Sequence, residues 1–190
     1  LLTLESGLLE NLLERLTEHQ PDLVLANEPV AADAHRPLHC RFLGSQPISL
    51  IGPVQRWRGR QLRVPQDLDG LEIALPGPRH AVRAQFDALC MSEEVRPKVR
   101  AEVDDMAMLR LVARDSGWLA MMPEVVVQDE LRNGLLCTVG QCPQLHERFY
   151  AITTSHRHHI ERLEALLRLA PALSLAAGVE QATRQALGLP

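Results

Sequence analysis

Hydrophobic and polar positions alternate most clearly along residues 104–139, where a helical period is followed by a continuous apolar run. Met108, Leu111 and Val112 follow the i, i+3, i+4 spacing that gives a helix one apolar face. Asp104 is placed to cap this helix, because a short acceptor side chain can receive the free backbone N–H groups at a helix start. The pattern therefore predicts a half-buried helix that is capped by Asp104.

A glycine and a short apolar run follow this helix. Gly117 suits the left-handed conformation that ends many helices, and residues 118–122 include no polar side chain except the indole of the tryptophan. Such a run is typical of a parallel strand that is covered on both faces. Pro123 then fits the first position of a second helix, which Asn133 and Gly134 end. We therefore predict the order helix, buried strand, helix, strand.

The first 26 residues show the same alternation on a smaller scale. Residues 1–5 are typical of a strand, leucines at helical spacing predict a helix over 8–16, and residues 22–26 predict a second strand. A strand, a crossover helix and a strand form a βαβ unit, whose two strands are parallel. We therefore expect a parallel sheet in this part of the chain.

Residues 53–70 separate this region from a second alternation of strands and helices. Their four arginines, two prolines and two glycines favour a solvated linker over a phosphate-binding loop, because so few charges bind phosphate weakly. Residues 41–52 predict one bent strand or two strands. Beyond the linker, the pattern predicts strands at 71–75, 98–103 and 147–154 and helices at 81–91, 159–170 and 178–187. This order indicates two α/β lobes with mainly parallel sheets.

Composition narrows the class of protein. The 190 residues carry a net charge of −4, which disfavours nucleic-acid binding by bulk electrostatics. No run of about 18 apolar residues is present, so the sequence predicts no membrane-spanning helix. The cysteines are too scattered for a disulfide framework, which makes a reducing cytoplasm the simpler environment. They are Cys40, Cys90, Cys137 and Cys142.

Two clusters of reactive side chains have simpler structural interpretations. His156 and His159 have a spacing that could hold a metal ion, but no carboxylate pattern lies nearby, which favours a solvated helix terminus. Cys137 and Cys142 could pair in a redox switch, but neither has a basic neighbour to lower its thiol pKa, so inert cysteines are favoured. No nucleophile–base pair or Walker loop is present. We therefore expect no metal, no cofactor and no enzymatic activity.

The strongest candidate for ligand binding is the turn at residues 76–80, between a predicted strand and a predicted helix. A strand end that leads into a helix N-terminus offers free N–H groups to an anion, and Arg79 adds a positive charge. An ordinary surface arginine at a helix start is an equally open interpretation.

Residues 112–135 resemble a segment of LysR-type transcriptional regulators, although Asp115 and Ser116 stand where that family has its first glycine. The matching runs are VARDSGWLAMMP and, after it, LRNGL. Residues 9–25 and 65–70 are similar to the family's first helix and strand and to the entry of its second lobe. Two further runs, LPGPR at 75–79 and EVDD at 102–105, resemble the subgroup that activates sodium/proton antiporters.

The resemblance implies an α/β effector-binding domain of two Rossmann-like, periplasmic-binding-protein-like lobes, joined by two crossing segments near 52–55 and 152–155. Lobe I would comprise residues 1–52 and 155–190, and lobe II residues 53–154. A small molecule or ion would bind between the lobes of a homodimer or tetramer. Its binding would be relayed to a DNA-binding helix-turn-helix that is absent from this chain. A free-standing periplasmic-type solute-binding protein, which shares the two-lobed plan, is the alternative.

The residues expected at the ligand follow predicted strands, begin helices or lie at the crossing. They are Arg79, His80, Asp105, Met106, Asn27 and Gly52. Arg79 favours an anionic effector and Asp105 a cation or amine, and the sequence does not decide between them. The resemblance also implies a dimer in which the helix at 8–19 packs against the partner's helix at 82–91, with Cys90 in the interface. Because the family has a further central strand, we expect that position to be unfilled or filled by residues outside this chain.

Overall fold

The computed structural model describes residues 3–31 and 37–154, and the chain forms two compact units. Unit one takes residues 1–45 and 148–190, and unit two takes residues 46–147. Both boundaries lie a few residues before the predicted crossings. Each boundary falls inside a long strand that runs without a break to the predicted crossing. The sequence pattern therefore does not change where one unit ends and the other begins.

The described residues form a mixed α/β fold. The helices are α1 (Leu9–Thr17), α2 (Val54–Trp57), α3 (Ala81–Ser92), α4 (Met106–Asp115) and α5 (Gln128–Arg132), with short 3-10 turns at Gln66–Leu68 and Glu124–Val127. The strands are β1 (Val24–Ala26), β2 (Leu38–Pro53), β3 (Glu72–Pro76), β4 (Lys98–Val103), β5 (Leu119–Pro123) and β6 (Leu136–Thr154). Hydrogen-bonded strands follow the order β1-β6-β2-β5-β3-β4. Within the described ranges, no helix is long and apolar enough to cross a membrane.

Helix α1 and strand β1 form the apolar core of the described part of unit one. Leu13 and Leu16 are buried and pack with Val24 of β1 and Ile152 of β6. The predicted helix is therefore confirmed. The predicted parallel βαβ unit is wrong, because residues 3–8 form no strand and β1 is antiparallel to β6. A hydrophobic period indicates a strand but does not specify its partner, which a distant segment supplies.

Unit two is built on a buried central strand with parallel neighbours, as the alternation of strands and helices predicts. Strand β3 is parallel to both β4 and β5, and β5 is antiparallel to β2 on its other side. Phe86 of α3 belongs to the cluster on one face of β3, and Leu109 of α4 to the cluster on the other. Because the two helices cover both faces of the sheet, β3 and β5 are almost wholly apolar.

Helix α4 differs from its prediction in both cap and buried face. The N-cap is Asp105, not Asp104, and its carboxylate accepts a hydrogen bond from the backbone N–H of Met108 at 2.9 Å. Leu109 is buried with Ala113, whereas the side chain of Met108 is 54% exposed. The sequence contains two apolar sets at helical spacing, and only packing against β3 and β5 selects between them.

The turns around β5 follow the sequence closely. Gly117 has φ of +79° before the strand, and Gly134 has φ of +66° after α5, so both glycines adopt the left-handed conformation. Pro123 is the last residue of β5 rather than the first of a helix, and a 3-10 turn precedes α5. The prediction of helix, buried strand and helix is confirmed, with a shorter second helix.

The predicted linker at residues 53–70 is wrong, because this segment belongs to the core of unit two. Trp57, Val64 and Leu68 are buried in the same cluster as Phe86. Long arginine side chains can cover apolar surface while their charged ends stay in water, so a basic run can hide buried residues between its charges.

The predicted strand at 147–154 is the last part of the 19-residue strand β6, and residues 41–52 belong to the single strand β2. The proposed histidine cluster at 156–159 and the helices at 159–170 and 178–187 lie outside the described residues.

Candidate functional site

The parallel arrangement of β3 and β4 brings two loops together at one edge of unit two. Pro76 and Val103, the last residues of these strands, are paired in register. The residues that follow them, 77–80 and 104–106, lead into α3 and α4. We call these two loops the rim. Four of the six predicted ligand residues lie there: Arg79, His80, Asp105 and Met106. Ligands commonly bind beyond the carboxyl ends of parallel strands, which makes the rim the candidate site.

Asp104 connects the two loops of the rim. Its Oδ1 atom lies 1.8 Å from the position that a Cβ atom on Gly77 would occupy, so only glycine allows this approach. Its other carboxylate oxygen lies 3.7 Å from a guanidinium nitrogen of Arg79, and both side chains are exposed. The charge of Arg79 is therefore partly balanced within the rim, by a residue to which the sequence pattern assigned only a capping role.

His80 is the N-cap residue of α3 and points away from solvent. Its Nε2 atom lies 3.6 Å from Oε1 of Glu147, and the side chains are only 14% and 6% exposed. Because Glu147 is about 70 residues away in the sequence, no local pattern could associate it with His80.

Arg83 holds the rim to the sheet beneath it. Its side chain is 10% exposed and donates hydrogen bonds to the carbonyl of Pro76 at 3.1 Å, to Asp87 at 2.9 Å and to Glu102 at 2.8 Å. Burial lowers the pKa of Arg83, but hydrogen bonds and charge from the two carboxylates outweigh burial, so the pKa is raised overall. The arginine therefore stays charged and ties α3 to the ends of β3 and β4.

Asp105 and Met106 have structural roles in addition to their predicted ligand role. One carboxylate oxygen of Asp105 caps α4, as described above, although the side chain itself is exposed. Met106 is half-buried and packs against the cluster that contains Leu109 and Ala113. Their contact with a ligand stays a prediction.

Gly52 and Asn27 are the two predicted ligand residues that the structure does not place at the rim. Gly52 is the second-last residue of β2, whose end lies beside the start of β5 because the two strands are antiparallel. It therefore lies at the amino ends of the parallel strands, whereas the rim lies at their carboxyl ends. A Cβ atom at Gly52 would lie 2.6 Å from Cδ1 of Trp57, so this glycine serves close packing. Asn27 follows β1 in unit one and is exposed.

A polar cluster at the carboxyl end of β5 was missed by sequence reasoning. Oε1 of Glu124 accepts hydrogen bonds from the hydroxyls of Ser49 at 3.1 Å and Thr138 at 2.9 Å. Ser49 is almost fully buried within the apolar run of β2. A serine inside an apolar strand and a glutamate directly after one are the signals that could have revealed this cluster.

A surface cavity of about 690 Å³ lies elsewhere in unit two, beside the C-terminal end of α3 and the first residues of β4. Met91, Val95 and Val99 line it together with Arg96 and Glu94. It is separate from the rim, which lies at the other ends of both elements.

The cysteines are unpaired and differ in burial. Cys40 is exposed, Cys137 is half-buried, and Cys90 and Cys142 are buried in the core of unit two. Burial raises the pKa of the Cys90 thiol to about 11, and burial with the neighbouring Cys90 raises the pKa of Cys142 to about 12. These values agree with inert thiols. The side chain of Cys90 faces the core of its own unit, and its expected place in a subunit interface stays a prediction.

We expect Cys40 alone to react rapidly with an aromatic disulfide reagent at pH 8, because the reactive thiolate forms readily only where the thiol is exposed. Absorbance would show one fast thiol in the native protein and all four after denaturation. A Cys40→Ser variant should lose the fast phase. Rapid native labelling of Cys142 would contradict the buried position of that side chain.

A family model described as the LysR substrate binding domain matches residues 1–173 of the chain. No curated protein sequence matches it. Among solved structures, the chain resembles the CcmR regulatory domain of Synechocystis PCC6803 in complex with 2-PG, at 13% identity and a TM-score of 0.62. That match covers 88% of this chain and 80% of the other.

Two further structures show the same fold. The apo regulatory domain of HypT from Salmonella typhimurium is 16% identical with a TM-score of 0.63, over 90% of this chain and 81% of that one. DarR from Vibrio fischeri, in complex with DNA, is 16% identical with a TM-score of 0.69, over 88% of this chain. The chain spans only 57% of DarR. At these identities, the similarity concerns the fold.

Proposed function

Because the chain belongs to the LysR substrate-binding domain family, we propose that its rim binds a small-molecule or ionic effector and that binding regulates a DNA-binding domain outside this chain. The family consists of regulatory effector-binding domains rather than enzymes, and the periplasmic solute-binding alternative is not favoured. Family membership supports a cytoplasmic location and assembly into a homodimer or tetramer. The subgroup of sodium/proton antiporter activators is a finer proposal, which rests on the runs at 75–79 and 102–105.

The observation that carries the proposal is the convergence of two helix starts at the rim, each directly after a parallel strand. Such starts present backbone N–H groups and the positive ends of two helix dipoles. Among the residues that the structure describes, only Asp104 pairs with the exposed Arg79, at 3.7 Å, so a ligand carboxylate can replace Asp104 as its partner. We therefore propose an effector with an anionic group at Arg79 and His80, and Asp105 beside a second, polar or cationic group.

Asn27 also stays in the proposed set of ligand residues, since it directly follows β1. Gly52 also stays in the proposed set of ligand residues, although the contact that the structure gives it is its close packing against Trp57. Binding would act on the DNA-binding domain by favouring one conformation of the regulatory domain over another.

Arg79→Ala should weaken the binding of carboxylate effectors by about tenfold or more, because a hydrogen bond to a charged group contributes roughly 1.5–3 kcal/mol. Calorimetric titration with dicarboxylates and diamines selected by a thermal-shift screen would measure this change. Arg63→Ala is the matched control, since Arg63 is exposed and paired with Asp67 away from the rim. Carboxylate affinity that survives Arg79→Ala unchanged would remove Arg79 from the site.

A further inference from the structure

Glu124 is a half-buried carboxylate that is fixed in place by hydroxyls and not by a cation. Its Oε1 atom accepts hydrogen bonds from Ser49 at 3.1 Å and from Thr138 at 2.9 Å. In the described part of the chain, no group donates to its second oxygen, Oε2, and no lysine, arginine or histidine pairs with it. Because a partly desolvated carboxylate gains most from a charged donor, Glu124 offers Oε2 to a cationic group.

Glu124 lies at the same edge of the sheet as the rim. It directly follows β5, which is parallel to β3 with Ala120 opposite Ala74. Counting along the two strands from this pair places Gly77, the first residue of the rim, level with the last residue of β5. Adjacent strands are about 4.8 Å apart, so the loop that carries Arg79 and the residue Glu124 start roughly one strand spacing from each other.

Arg79 supplies the opposite charge at this edge. It is exposed, and among the described residues it pairs only with Asp104, at 3.7 Å. Its loop leads into the 12-residue helix α3, and the positive end of the helix dipole also favours an anion there. The edge therefore offers an anion-binding group after β3 and a cation-binding group after β5.

We infer that the effector is a zwitterion, a small amino acid whose carboxylate binds Arg79 and whose ammonium group binds Oε2 of Glu124. This inference rests on the proposed effector function of the rim and names the class of ligand. Ser49 and Thr138 are positioning residues, because they hold the carboxylate of Glu124 through Oε1 and leave Oε2 to the ligand.

Glu124 suits an ammonium group better than Asp105, the acid that follows β4 at the same edge. One oxygen of Asp105 already accepts the hydrogen bond from the backbone N–H of Met108 that caps α4, at 2.9 Å. The side chain of Asp105 is also exposed, so water and salt weaken its attraction for a cation. The half-buried Glu124 is screened less, and it therefore discriminates more strongly in favour of a charged amine.

Pairs of probes that differ only in the amino group test the inference. Calorimetric titration would compare glycine, β-alanine, γ-aminobutyrate and δ-aminovalerate with acetate, propionate, butyrate and valerate. We expect at least one amino acid to bind about tenfold or more tightly than its amine-free partner, because a hydrogen bond between charged groups is a strong one. Glu124→Gln should remove this preference, since the amide oxygen still accepts from both hydroxyls but has no charge.

Two further variants separate recognition from folding. Asp129→Asn is the matched control, because it removes an exposed carboxylate of α5 outside the rim, and it should keep the preference for the amine. Ser49→Ala removes one of the two hydroxyls that hold Glu124, so it should reduce the preference in part. Thermal unfolding of each variant would confirm that the fold is retained.

Equal affinity within every pair of probes, or a preference that Glu124→Gln does not change, would overturn the inference. Carboxylate binding that depends on Arg79 would in that case still support the proposed function of the rim. A preference that Asp105→Asn removes and Glu124→Gln retains would assign the ammonium group to Asp105, which also overturns the inference. Failure of the chain to bind either series would count against both proposals.

Discussion

Gly52→Ala should lower the free energy of unfolding by about 1–3 kcal/mol, as expected for an extra methyl group in a packed core. The added Cβ atom would lie 2.6 Å from Cδ1 of Trp57 and 3.1 Å from Leu119 Cδ2, and both side chains are buried. Trp57 cannot move aside without disturbing its contacts with Gly117 and with Arg56 and Arg60. Urea denaturation followed by tryptophan fluorescence would measure the loss.

Gly7→Ala is the control for this substitution, because its added Cβ atom would lie at an ordinary 3.7 Å from Leu12. Its unfolding midpoint should stay near that of the wild type. If Gly52→Ala instead leaves stability unchanged and alters only effector binding, Gly52 is a ligand residue, as the sequence suggested, and its packing role is secondary.

Arg83→Met should cost about 2–3 kcal/mol of stability, because the carbonyl of Pro76 loses a buried hydrogen bond and two carboxylates lose their shared cation. The loss of stability should stay below that of a fully buried ion pair, because Asp87 and Glu102 are about half-exposed and can hydrogen-bond to water once Arg83 is gone. Thermal unfolding of the variant would show the loss, and methionine preserves much of the apolar length of the side chain.

Arg63→Met provides the comparison for Arg83, since the side chain of Arg63 is 78% exposed and its partner Asp67 follows at i+4. Exposed pairs contribute little, so this variant should unfold at nearly the same temperature as the wild type. Similar losses in the two variants would contradict the anchoring role of Arg83. Because Arg83 also ties the rim to β3 and β4, its variant should bind effectors more weakly even at temperatures where it is folded.

The elements of unit two from β3 to β5 could be predicted from the sequence, because each has its own pattern. Gly117 and the apolar run after it predicted a turn and a buried strand, and Gly134 predicted the end of the helix that follows. The alternation of strands and helices implied parallel strands, and therefore loops that meet at one edge. The strand order therefore predicts Arg79 and His80 at the rim.

The same patterns failed where two neighbouring residues suited one structural position equally well. The capping site of α4 could be either of two adjacent aspartates, and packing selected Asp105. The buried face could include Met108 or Leu109, and contact with the sheet selected Leu109. In residues 53–70, the charges of the arginines concealed the burial of Trp57, because side chains that lie next to one another in sequence can point in opposite directions.

By itself, the sequence determined the α/β class, the elements of unit two from β3 to β5, the left-handed turn at Gly117 and the family, since all of these depend on residues that are close along the chain. Only the tertiary structure decided which distant groups meet. It placed Glu147 beside His80, Ser49 and Thr138 on Glu124, and Asp104 over Gly77. Strand pairing brings these groups together, and the energy of that pairing comes from burial on both faces of the sheet rather than from any local motif.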